Sequence, residues 1–119
     1  MKKLLIFTIT VLALSQNAFA GNGYIHVQLE RLADLGVAFG GHLAGNMEIK
    51  IKNGFTLPSG VKCDTNYITT KKEVDPDRAM LSLLRDAMTS QRTIELIITD
   101  DQAYTAYPGR CSLIAVNLL

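Results

Sequence analysis

The sequence predicts a mainly β, α+β domain: a small antiparallel barrel of five to six strands, with one helix before the last two strands. Three observations predict it. Stretches with an apolar period of two recur along the chain. A single stretch carries the helical period. The chain has 119 residues, 48% hydrophobic and 19% charged, which suits one domain with a modest core. Disordered chains are poorer in apolar residues. Collagen-like and coiled-coil classes fail on composition. No βαβ alternation is present, so a parallel sheet is not expected.

Residues 1–20 read as an address. Lys2 and Lys3 precede an apolar run over 4–14, and Ala18-Phe19-Ala20 places small residues at a cleavage site. This is a secretory signal peptide cut after Ala20. A run of that length is too short to cross a bilayer, and no cysteine follows it to carry a lipid. Without Lys2 and Lys3, ten basic residues face eleven acidic ones. The expected product is one soluble, exported domain over 21–119, periplasmic or secreted, without a membrane span. Its near-zero charge argues against a nucleic-acid partner.

Residues 24–32 alternate: Ile25, Val27 and Leu29 on one face, Tyr24, His26 and Gln28 on the other. That is a half-buried strand. Four glycines within 36–45 suggest a short, bent strand carrying Val37 and Phe39. Residues 47–52 alternate Met47, Ile49 and Ile51 with Glu48, Lys50 and Lys52, a strand with one wet face. Asn53-Gly54 is a hairpin turn. Residues 61–70 read as a strand containing Cys63. Asp75-Pro76-Asp77 opens the single helix, with Met80, Leu83, Leu84, Ala87 and Met88 on its apolar stripe and Leu81 off the stripe's centre. The helix should end near 90–92. Residues 93–99 form a strand with Ile94, Leu96 and Ile98 on one face. Residues 104–110 form a loop turning at Pro108-Gly109. Residues 111–118 form the last strand, with Ile114, Val116 and Leu118 on one face. These parts fit an OB-fold-like barrel plugged by its helix, or an open α+β sheet with the helix on one face.

The compartment and the count of two cysteines point to a Cys63–Cys111 disulfide. Free thiols or an intermolecular bridge are the alternatives.

The element order also resembles a known family. A cysteine precedes the helix, which carries Met80-Leu-Ser-Leu-Leu-Arg-Asp-Ala-Met88. A strand of the type Thr93-Ile-Glu-Leu-Ile-Ile98 follows, then a cysteine and a final apolar strand. Over residues 22–119 this resembles the small exported proteins related to AB5 toxin B subunits, the subtilase cytotoxin B-like group above all. The resemblance implies an OB-fold, ring assembly and glycan binding. The segment 101–108 departs from the toxins' aromatic-rich stretch and lacks tryptophan.

Chemistry leaves few candidates. His26 falls on a polar strand face and His42 in a glycine-rich turn, and both read as solvated. Asp100-Asp101 reads as a turn. No catalytic set, metal-ligand spacing or cofactor motif emerges, so no enzyme is expected. Tyr104, Tyr107 and Arg110 share a loop and are the candidate ligand-binding residues, since tyrosine joins an apolar ring to a polar tip. The expected function is an exported, non-enzymatic binding module for a glycan or a cell-surface receptor, forming a homo-oligomer. The alternative is a small periplasmic interaction or accessory protein, inhibitor-like, without a sugar site.

Overall fold

The alternation at the start of the domain yields two strands, β1 (Asn22–Val27) and β2 (Leu29–Asp34), separated only by Gln28. They are followed by β3 (Met47–Ile51), β4 (Tyr67–Thr70), α1 (Ala79–Ser90), β5 (Ile94–Thr99) and β6 (Cys111–Leu118). The computed structural model describes residues 21–119. The expected signal peptide and its cleavage site at Ala20 lie outside them.

All six strands join one sheet in the order β1-β5-β6-β4-β3-β2. Every neighbouring pair is antiparallel except β4 and β6, which run parallel. The two ends of the sheet are therefore β1 and β2, which are consecutive in the chain. Gln28 links them, and its carbonyl accepts from the Lys52 amide at 2.9 Å. At the start of β1, Gly21 donates its N–H to Asp100 Oδ1 at 2.7 Å. A Cβ at Gly21 would sit 2.0 Å from the Gly60 carbonyl oxygen, so only glycine fits that ledge.

The core lies between the sheet and α1. Ile25, Val27, Leu29, Met47, Ile49, Ile51, Ile68, Ile94, Leu96 and Ile98 are buried there, as are Leu81, Leu84 and Ala87 of α1. Leu81 is thus a core residue, not an off-stripe one. Met80, Leu83 and Met88 are half-buried at the core's edge. Among the described residues, no helix is long and apolar enough to cross a membrane.

The helix begins at Ala79, later than Asp75-Pro76 suggested. Asp75 still caps it: its buried carboxylate accepts from the Met80 and Leu81 amides at 3.1 and 3.0 Å. A tight turn with Arg78 at φ 58° brings the carboxylate under the first turn. The C-terminus falls at Ser90, where Gln91 turns left-handed at φ 53°.

Four strand expectations change. The single strand expected over 24–32 divides at Gln28 into β1 and β2, which pair with different partners at opposite ends of the sheet. The segment 61–66 is irregular, so Cys63 stands outside β4. The Asp64 carboxylate accepts from the Asn66 and Tyr67 amides, both at 2.9 Å, and this side-chain turn competes with the ladder. The glycine-rich segment forms no strand. It makes a single bridge between Phe39 and His42 around Gly40-Gly41, whose φ values of 58° and 88° suit a primed hairpin turn. In β6 the register shifts opposite Ile97 and Ile98. That irregularity puts Cys111 and Leu113 on the core face with Val116 and leaves Ile114 half-buried; Leu118 pairs with buried Ile94 but is itself exposed.

The Cys63–Cys111 disulfide is present, with Cα atoms 5.4 Å apart. It ties the irregular segment before β4 to the first residue of β6.

Candidate functional site

Glu48 is the focus of the densest polar cluster. The alternation of β3 sends it to the face opposite Met47, Ile49 and Ile51, which the sequence marked as wet. Yet Glu48 is only 8% exposed. Three donors converge on its carboxylate. Arg31 of β2 reaches Oε1 at 2.5 Å. Arg110, just before β6, reaches Oε2 at 2.8 Å. His42 Nε2 lies 2.8 Å from the same oxygen.

Each donor arrives by a traceable route. Arg31 and Ala33 share the outward face of β2, and Ala33 pairs with Glu48 across the ladder. Arg110 is held by its rings: its guanidinium lies 4.4 Å from the Tyr67 centroid and 4.2 Å from that of Tyr107. Such stacking orients the planar fork and strengthens it through the ring quadrupole. His42 is delivered by the Gly40-Gly41 turn, whose Phe39 and His42 exchange backbone hydrogen bonds at 3.1 and 2.9 Å. His42 is 8% exposed, not solvated, and its ring packs 4.6 Å from Tyr107.

The electrostatics follow from this crowding. Burial alone pushes the Glu48 carboxyl up. The hydrogen bonds from Arg110 and Arg31, with the charge of Arg110 and of His42, outweigh burial and hold it below its ordinary 4.5. A carboxylate so saturated is no general base near neutral pH. It works as a clamp, gathering β2, β3, the 36–45 loop and the 104–110 loop.

The two loops are fastened to each other as well. Asn46, buried, donates to the Ala106 carbonyl at 3.3 Å. A Cβ on Gly41 would meet Tyr107 Cε2 at 3.2 Å. The neck of the first loop is closed by Leu35 and Asn46, with the Leu35 amide on the Asn46 carbonyl at 2.9 Å. Arg78 adds a bond to the Gly45 carbonyl at 3.1 Å and an ion pair to Asp34 at 3.3 Å.

Above this fastened base the surface is apolar. Val37, Phe39 and Leu43 are 65–74% exposed, and Tyr104 on the adjoining loop is 44% exposed. Of the three residues singled out from the sequence, Tyr107 and Arg110 meet within the clamp. Tyr104 faces solvent, and its carbonyl accepts the Ser112 hydroxyl at 2.6 Å. Sequence reasoning missed Glu48, Arg31, Tyr67 and His42. The only available signal was a set of opposite charges on neighbouring strands, which does not say that a distant loop will bury them.

Comparison of the chain with protein-family models, with characterised proteins and with solved structures yields no match.

Proposed function

We propose that the chain is an exported, non-enzymatic binding module whose recognition surface is the pair of loops 36–45 and 104–110. Its partner is another protein, a cell-surface receptor or a second copy of the chain. The observation that carries this reading is the combination of exposure and fastening. Val37, Phe39 and Leu43 are held out in solvent by a loop whose base is pinned through His42, Asn46 and Glu48. A loop that merely covered a core would turn those side chains inward. A pre-organised apolar loop loses little freedom on docking, which favours affinity. In this reading Tyr104 offers its ring to the partner, and Tyr107 and Arg110 hold the loops in place.

The same proposal takes the fold as an OB-fold-like barrel. Support comes from the strand order, whose two ends are consecutive segments of one chain through Gln28. With β1 and β2 counted as one bent strand, α1 falls between the third and fourth strands, and the parallel β4–β6 pair joins the third to the fifth. The likeness to toxin B subunits adds self-association to the expectation.

The test is sedimentation of the exported protein and of its Phe39→Asp, Leu43→Asp double variant, together with binding of each to cultured cells. The wild type should self-associate at micromolar concentration or bind cells, and the variant should lose that association while melting within a few degrees of wild type. A wild type that neither self-associates nor binds cells sinks the proposal. So does a folded variant that behaves like it.

A further inference from the structure

Asparagine followed by glycine is the dipeptide most open to intramolecular imide formation, because glycine has no side chain to shield its amide nitrogen. The described residues hold two such pairs, Asn22-Gly23 and Asn53-Gly54. The fold treats them differently. Asn22 and Gly23 lie in β1, in register with Thr99 and Ile98 of β5. Gly23 is buried, and a Cβ there would stand 2.3 Å from Pro58 Cβ, so Pro58 lies directly over it. Asn53 and Gly54 lie just past β3, and Asn53 is exposed. Its φ of 61° is a conformation that asparagine tolerates better than most residues. The Gly54 amide donates to the Ile51 carbonyl at 3.2 Å, the long end of the range for such bonds. A cleft of about 340 Å³ opens beside the pair, and His26, Lys52 and Thr93 also line it.

We infer that Asn53 is a modification site, where the chain deamidates and isomerises without an enzyme while Asn22 is spared. The Gly54 amide nitrogen attacks Asn53 Cγ and gives up its proton. The Cγ–Nδ2 bond breaks, and the proton leaves with that nitrogen as ammonia. A cyclic imide then joins the two residues. One water from the cleft opens it. Breaking the bond from Cγ to the Gly54 nitrogen leaves aspartate in the ordinary main chain. Breaking the bond from the Asn53 carbonyl carbon to the same nitrogen leaves isoaspartate, with the main chain passing through Cβ and Cγ. Either product brings a negative charge. The attack needs rotation about the asparagine backbone, which an exposed turn allows and a paired strand opposes. The two products differ in consequence. Aspartate tolerates the same φ. Isoaspartate adds one main-chain carbon between two anchored points: the Ile51 amide is bonded to the Asn66 carbonyl at 2.8 Å, and the Phe55 amide to the Thr65 carbonyl at 2.9 Å. Phe55 packs against the core, so the isomer loosens that edge of it. The site is separate from the paired loops and stands whether or not they bind a protein.

The test holds the exported protein in warm, mildly alkaline buffer, digests it at acid pH, where the imide forms slowly, and maps the peptides by mass spectrometry. In folded wild type, Asn53 should convert at least tenfold faster than Asn22, and an isoaspartyl methyltransferase should label the product at that position. In urea the rate at Asn22 should rise toward that at Asn53, because the two dipeptides then differ little. Asn53→Gln puts the side-chain carbonyl one carbon too far for the same ring. That variant should keep its melting temperature on storage while wild type loses several degrees. Folded wild type in which Asn53 stays intact, or in which Asn22 converts as fast, overturns the inference. An Asn53→Gln variant that declines like wild type overturns the link to the core's edge.

Discussion

Glu48 joins three donors that sequence distance separates: Arg31, His42 and Arg110 meet on one carboxylate. Its folded value lies below 4.5, so the stability it supplies is full above the unfolded value and is lost as pH falls through the lowered one. Glu48→Gln should cost about 1.5–3 kcal/mol near neutral pH, the range for hydrogen bonds to charged groups. The variant should also lose less stability than wild type between about pH 5 and pH 3. Thermal melts across that range check both statements. Glu48 was half legible in the sequence. Its face was right, because strand alternation is local. Its burial was not, because the covering loop is placed by Gly40-Gly41 and by contacts with Tyr107, which alternation does not encode. His42 was misplaced for the same reason.

Among elements, those with uninterrupted periodicity were legible within a residue or two: β3, β5 and the span of β6. Side chains that divert the backbone were not. Asp64 shortened β4, and the β6 irregularity exchanged Ile114 for Leu113 in the core. The helix stripe was read correctly at Leu84 and Ala87, and too narrowly at Leu81. Leu84 is fully buried, so Leu84→Asp places an unpaired carboxylate in the core and should cost about 4 kcal/mol or more. A far-ultraviolet melt should show little or no folded protein; a near-normal melt sinks the assignment of α1 to the core. The disulfide joins an irregular segment to a core strand, closing a sequence separation of 48. Replacing both cysteines by serine should cost about 4 kcal/mol by the loop-entropy relation, read as a lowered denaturant midpoint.

At the scale of the whole molecule, the sheet's path depends on a long-range choice. The chain leaves one end of the sheet in β1 and re-enters the other end in β2 after a single residue. Periodicity placed the helix, but it read 24–32 as one strand where β1 and β2 part at Gln28, and put a strand in 36–45 where none forms. Nor did it give the parallel β4–β6 pair, which no local pattern announces. Gln28 to Glu would keep the backbone bond to Lys52 and should leave the fold intact. Gln28→Pro constrains the backbone between the two strands and should lower the melting temperature by several degrees, measured by calorimetry.

The hydrogen bond between Gly21 and Asp100 has a bearing on maturation. If residues 1–20 are a leader, Gly21 contributes one neutral amide proton to Asp100 for as long as that leader is attached. Cleavage after Ala20 would turn the same nitrogen into an ammonium group, 2.7 Å from the carboxylate. The cut would thus create a charge at the place where the fold already holds its counter-charge, beside a ledge that admits only glycine. Export and final tightening of the domain would be coupled through one atom. Asp100→Asn should therefore destabilise protein that begins at Gly21 by about 1 kcal/mol more than protein carrying an N-terminal extension. Mass spectrometry of the exported chain fixes its first residue, and a double-mutant cycle on melting temperature measures the coupling.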